Sequence, residues 1–112
     1  MKRLAVRLRA HANQNIKDIF DWIATESGYP QIAEKFIDRV YDACESLGEF
    51  PMKGRARNDL KQGVRVLPFD RVAIIAYRIL ADEVDVLNIF YAGRDYEASL
   101  IQDDEIRSPP NA

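Results

Sequence analysis

From Lys2 to Arg9 apolar and basic residues alternate, with Leu4, Val6 and Leu8 on one side and Arg3, Arg7 and Arg9 on the other. A period of two predicts a half-exposed strand near a sheet edge. The period then lengthens. Ile16, Ile19, Phe20 and Ile23 fall at i, i+3, i+4, i+7, with Lys17, Asp18 and Asp21 off the stripe, and Asn13 is placed to cap this first helix. Gly28 ends it as a C′ residue, and Pro30 opens a second helix at its first position. Ala33, Phe36, Ile37, Val40, Cys44 and Leu47 form the second apolar stripe, which breaks near Gly48 ahead of Pro51. So short a link makes the pair an antiparallel helical hairpin.

Residues 51–63 read as a basic connector with room for one helical turn. Gly63 to Leu100 then carries three runs rich in β-branched and aromatic residues, broken at Phe69-Asp70 and Asp82-Glu83. That is an antiparallel meander. Tyr96 to Ile101 has the makings of one or two helical turns. The expected order is β-α-α-β-β-β, an α+β fold with the helical hairpin packed on the sheet. One domain over residues 1–101 and a polar tail over 102–112 complete the expectation.

If both hairpins turn in two residues, opposed side chains share a face. One face then collects Val64, Val66, Ala73, Ile75, Tyr77, Ile79, Val84, Val86, Asn88 and Phe90, almost wholly apolar, and packs on the helices. The other collects Arg65, Leu67, Ile74, Arg78, Leu87, Ile89 and Tyr91, an aliphatic patch ringed by two arginines and a tyrosine. An odd loop or a bulge would flip a strand and separate those three. As an open face, the patch calls for a partner chain.

Composition narrows the class. The 112 residues are 47% hydrophobic and 30% charged, as in an ordinary globular protein. One cysteine, Cys44, rules out an internal disulfide and a multi-cysteine metal site. No stretch approaches the ~20 apolar residues of a membrane span, and the N-terminus lacks a signal-peptide core, so a cytoplasmic location is expected. The net charge of −2 is unevenly spread: residues 53–78 hold seven Lys/Arg against two Asp/Glu, and residues 79–112 hold two against eight. A basic middle points to a local anionic contact through Lys53, Arg55, Arg57 and Lys61 rather than a broad nucleic-acid surface.

The words along the chain resemble the RelE/ParE superfamily of bacterial type II toxins. They are Ala33-Glu34-Lys35-Phe36-Ile37-Asp38, Leu47-Gly48-Glu49-Phe50-Pro51 with Gly54-Arg55, Gly63 to Phe69, Ile74 to Ile79, and Gly93-Arg94-Asp95. The Phe-Pro-x-x-Gly-Arg step and the closing Gly-Arg-Asp look like the ParE branch. The resemblance implies a toxin neutralised by a cognate ParD-like antitoxin in a higher-order complex, which reaches operator DNA through the antitoxin. It implies DNA gyrase as the target. The chain departs from the branch at Tyr91-Ala92, where ParE-like sequences often carry a His-Gly pair.

RelE-like relatives instead cut messenger RNA on the ribosome. In that alternative Arg65 and Arg78 clamp phosphate and Tyr91 moves a proton. The single histidine, His11, reads as a surface loop residue with no catalytic neighbour. An acidic chain argues against a ribosome-directed nuclease. A third reading is a non-toxic module that only binds its antitoxin. The favoured reading is a gyrase poison that needs no cofactor and no metal. Its partner-binding candidates are Arg65, Leu67, Ile74, Arg78, Leu87, Ile89, Tyr91, Arg94 and the four cations of the connector.

Overall fold

The computed structural model describes residues 3–93 and 95–107. A short strand β1 (Ala5–Leu8) leads into two helices, α1 (Ala10–Ser27) and α2 (Pro30–Glu49). Four strands follow: β2 (Arg55–Ala56), β3 (Val64–Phe69), β4 (Ala73–Ile79) and β5 (Glu83–Tyr91). A last helix, α3 (Tyr96–Arg107), closes the described chain and runs beyond the one or two turns expected. The fold is α+β, with a helical hairpin on a five-stranded sheet ordered β1-β5-β4-β3-β2. The sheet is mixed, because β1 joins β5 in parallel while the other pairs are antiparallel.

The helices form where the apolar periodicity places them. Ile16, Ile19 and Ile23 of α1 and the whole α2 stripe from Ala33 to Leu47 are buried against the sheet. Gly28 adopts φ 76° and returns its N–H to the Ala24 carbonyl, while Pro30 occupies the first turn of α2. Asn13 does not cap α1. The helix starts four residues earlier because the Arg9 N–H still pairs with Val86 of the sheet, and the chain turns helical at once. His11 therefore sits in the first helical turn, exposed, rather than in a loop. Gly48 continues α2 instead of breaking it. Its missing side chain lets Leu4 approach, and the Leu4 N–H donates to the Gly48 carbonyl at 2.9 Å.

Two local irregularities decide the faces of the sheet. The first is the β3–β4 loop. Phe69 pairs with Ala73, so the loop is three residues, Asp70 to Val72, with Asp70 and Arg71 both left-handed at φ 55° and 63°. The odd count turns every β3 side chain to the opposite face from that expected. Arg65 now opposes Tyr77, and Leu67 opposes Ile75, on the helix side.

The second is a bulge in the β4–β5 pairing at Ala76/Tyr77. Val84 and Val86 face the helices as expected, but beyond the bulge Ile89 and Tyr91 turn to the helices and Phe90 turns away.

The far face is not left open. Leu100 of α3, fully buried, and Tyr96 pack over Leu60, Val64, Val66, Ala76 and Phe90. The apolar patch expected to await a partner is covered in large part by the chain's own last helix.

Candidate functional site

Arg65, Arg78 and Tyr91 do not converge. Arg65 lies on the helix face and turns its guanidinium into the connector, with Nε on the Gly54 carbonyl at 2.9 Å. Tyr91 shares that face at the other end of the sheet. It opposes Ala73, four residues along β4 from the partner of Arg65, or about 13 Å at the rise of a strand. Its ring meets Phe36 edge-on at 5.3 Å.

Arg78 lies on the far face, its stem along Gly63. It directly opposes Asp85, yet Arg78 Nε and Asp85 Oδ1 are both buried without a hydrogen-bond partner among the described residues. Asp85 is held instead by Arg9 at 3.7 Å. Glu83 stands two positions away on the same face, and a hydrogen bond from its protonated carboxyl to Asp85 raises its pKa, with desolvation adding to the effect.

The aliphatic candidates divide in the same way. Leu67 and Ile89 pack into the core beneath the helices, while Ile74 and Leu87 join the cluster under α3. The basic connector divides too. Arg57 is an internal clamp. Its guanidinium holds Asp59 at 2.8 Å, Glu97 at 2.7 Å and the Tyr96 hydroxyl at 3.1 Å, which ties the connector to the start of α3. These contacts push the Arg57 pKa further up and the Asp59 carboxyl below its ordinary value. Lys61 is half-buried in the turn that begins at Arg57. Of the connector's cations, Lys53 and Arg55 stand exposed with no salt bridge to a described residue. Arg94 lies outside the described residues, while its neighbour Asp95 caps α3 by accepting the Ala98 N–H at 3.1 Å.

What the fold does build is a groove along the free part of β5. The β1 register covers only Glu83 to Val86, so among the described residues Leu87 to Tyr91 have no strand on that side. Asn15 of α1 occupies part of the gap, its Oδ1 accepting the Ile89 N–H at 2.9 Å. Beside it Asp18, Ile19 and Trp22 of α1 face Ile89, Tyr91 and Ala92 across a cavity of about 360 Å³. Trp22 is 52% exposed on the rim. The floor is apolar and the rim carries one carboxylate, so the groove suits a peptide segment better than a phosphate.

The pattern of the chain matches the ParE toxin of the type II toxin-antitoxin system parDE over residues 6–96. The chain belongs to the ParE toxin family. Its fold agrees with a structure titled as a chromosomal ParDE toxin-antitoxin system from P. aeruginosa, with a TM-score of 0.70 and 21% identity, over 80% of this chain and 97% of that one. No curated protein matches it. This ParE-family chain is thus a toxin component of a type II toxin-antitoxin system.

Two features of the groove escaped the reading of the sequence. Asn15, Asp18 and Trp22 follow i, i+3, i+7 spacing, a second stripe on the flank of α1 that was legible but overshadowed by the apolar one. Ala92 is left-handed at φ 60°, a conformation that favours glycine, and its N–H is held by the Val72 carbonyl at 2.9 Å. Such a conformation in a non-glycine residue at a groove wall is a cue to function, and the sequence signals it only through the glycine that ParE-like chains often carry at this position.

Proposed function

We propose that this ParE-family toxin acts in the cytoplasm by binding DNA gyrase and carries out no cleavage of its own. In this reading a cognate ParD-like antitoxin neutralises it, and the two assemble into a hetero-oligomer that contacts operator DNA through the antitoxin. The observation that carries binding over message cleavage is the dispersal of Arg65, Arg78 and Tyr91. A nuclease must bring phosphate clamp and proton carrier within about 3 Å of one reacting phosphate. Here one arginine is tied into a turn, one lies on the far face, and the tyrosine packs on Phe36.

The α1–β5 groove supports the antitoxin part. It offers a strand edge that β1 leaves uncovered and Asn15 engages at Ile89, an exposed tryptophan and an apolar floor, the usual complement to an extended or helical segment. Among the described residues no helix is long and apolar enough to cross a membrane, which is compatible with a cytoplasmic target.

The test is a supercoiling assay with purified gyrase beside a translation extract. Inhibition of supercoiling with intact messages is expected. Message cleavage that disappears in Arg65→Ala, Arg78→Ala and Tyr91→Phe, with gyrase unaffected, would overturn the reading in favour of a ribosome-dependent nuclease. For the antitoxin, Trp22→Glu should abolish co-purification with the product of the neighbouring reading frame.

A further inference from the structure

The turn that joins α2 to β2 is unusually well tied down. The Lys53 N–H donates to the Phe50 carbonyl at 3.1 Å, closing a turn with Pro51 at its second position. The Tyr77 hydroxyl donates to the Pro51 carbonyl and accepts the Gly54 N–H, each at 2.7 Å. Arg65 donates to the Met52 carbonyl at 3.4 Å and to the Gly54 carbonyl at 2.9 Å. Gly54 is buried, and a side chain there would meet the Tyr77 ring at 2.7 Å and the Val66 carbonyl at 2.8 Å. Four carbonyls of the turn are thus satisfied from within, two of them by one arginine of the sheet.

This rigid backbone presents its side chains outward. Phe50 is 56% exposed and Met52 67% exposed. Lys53 and Arg55 follow, both exposed and without a salt bridge among the described residues. One exposed apolar residue is ordinary on any protein surface. Two within three residues, on a backbone that cannot fold them away and flanked by two exposed cations, have the composition of an interface centre. Because the turn is already ordered, little further entropy is lost when it docks.

We propose that the Phe50–Arg55 turn is a docking epitope for a second protein, one offering an apolar recess for Phe50 and Met52 and carboxylates around it. The proposal rests on the reading of the chain as a toxin that acts by binding. Charge complementarity selects the occupant. Lys53 and Arg55 stand exposed on the turn with the Arg65 guanidinium behind them, so this edge of the molecule steers acidic surfaces toward itself.

The epitope is not the groove. It sits beside β2, three strand spacings from β5 and displaced along the strands, roughly 20 Å from the Tyr91 end. The two surfaces are therefore separable by mutation. The target belongs at the turn and the antitoxin at the groove.

The experiment uses the full chain and two double variants, Phe50→Ser/Met52→Ser and Lys53→Glu/Arg55→Glu, all at exposed positions. Growth arrest on induction, binding to purified gyrase across a salt series, and affinity for the co-expressed antitoxin are measured together. Both variants are expected to lose growth arrest and at least tenfold in gyrase binding, with antitoxin affinity within twofold of wild type. The charge-reversed variant should also lose its salt dependence.

Arrest and target binding at wild-type strength in either variant would overturn the proposal, as would a parallel loss of antitoxin affinity. If wild type arrests growth without touching gyrase, the choice of gyrase fails, and the epitope stands or falls on whether the variants still arrest growth. If wild type causes no arrest, both fail.

Discussion

The hydroxyl of Tyr77 and the backbone of Gly54 meet at 2.7 Å, where the sheet holds the turn ahead of β2. Tyr77 is fully buried, and the same oxygen donates to Pro51. Tyr77→Phe leaves a buried N–H without an acceptor and a carbonyl without a donor. Unfolding by urea should show a loss of about 2 kcal/mol. Gly54→Ala, which forces a methyl against the Tyr77 ring, should be at least as damaging.

Leu100 is the anchor of α3, 1% exposed over the cluster of Val64, Val66, Ala76 and Phe90. Leu100→Ala should cost about 2–4 kcal/mol by denaturation. Arg57→Ala removes the clamp on Glu97 and Tyr96 from the other end. Hydrogen exchange of the α3 amides should then accelerate well ahead of those in α1 and α2. Arg57→Lys should not restore protection, since one ammonium cannot span Asp59, Glu97 and Tyr96 in the geometry of a guanidinium.

Glu83 gives a pH dependence of known sign. Its carboxyl is raised above the ordinary value by the hydrogen bond to Asp85 and by desolvation. The folded chain therefore binds a proton more readily than the unfolded one, and stability falls as pH rises from the ordinary carboxylate value, near ~4.3, through the raised one. Glu83→Gln should raise the melting temperature at neutral pH and leave it unchanged below about pH 4. Equal gains at both pH values would contradict the pairing with Asp85.

The thiol of Cys44 is pushed up to about 12, chiefly by burial, with the nearby Glu45 charge adding to it. In the folded chain it stays protonated and shielded. Iodoacetamide at pH 8 should leave it unmodified for as long as the protein remains folded, with full labelling in denaturant.

The turn Pro51-Met52-Lys53-Gly54 is legible in the sequence only as part of a basic connector, and its rigidity comes from residues far along the chain. That contrast runs through the molecule. Both helices, their apolar stripes, the Gly28 stop and the Pro30 start were legible because helix periodicity and capping are local. So were the existence of the three long strands and the family words that run through them. Arg57 was legible as a charge but not as a clamp, because Glu97 and Tyr96 lie 40 and 39 residues away.

What the sequence determined by itself was the first strand, the helical hairpin and the three long strands, their order and the apolar content that makes the hairpin pack on the sheet, while the short β2 within the connector and the full length of α3 were not in it. Only the tertiary structure decided which side of the sheet each residue faces. Side-chain direction in a strand has a period of two, so one extra residue in the Asp70–Val72 loop and one bulge at Ala76/Tyr77 reverse all of β3 and the end of β5. A single residue of register thus separates Arg65 from Arg78 and turns Tyr91 into the core. It places a groove, an arginine-pinned turn and a covering helix where the alternating pattern alone suggested one open face.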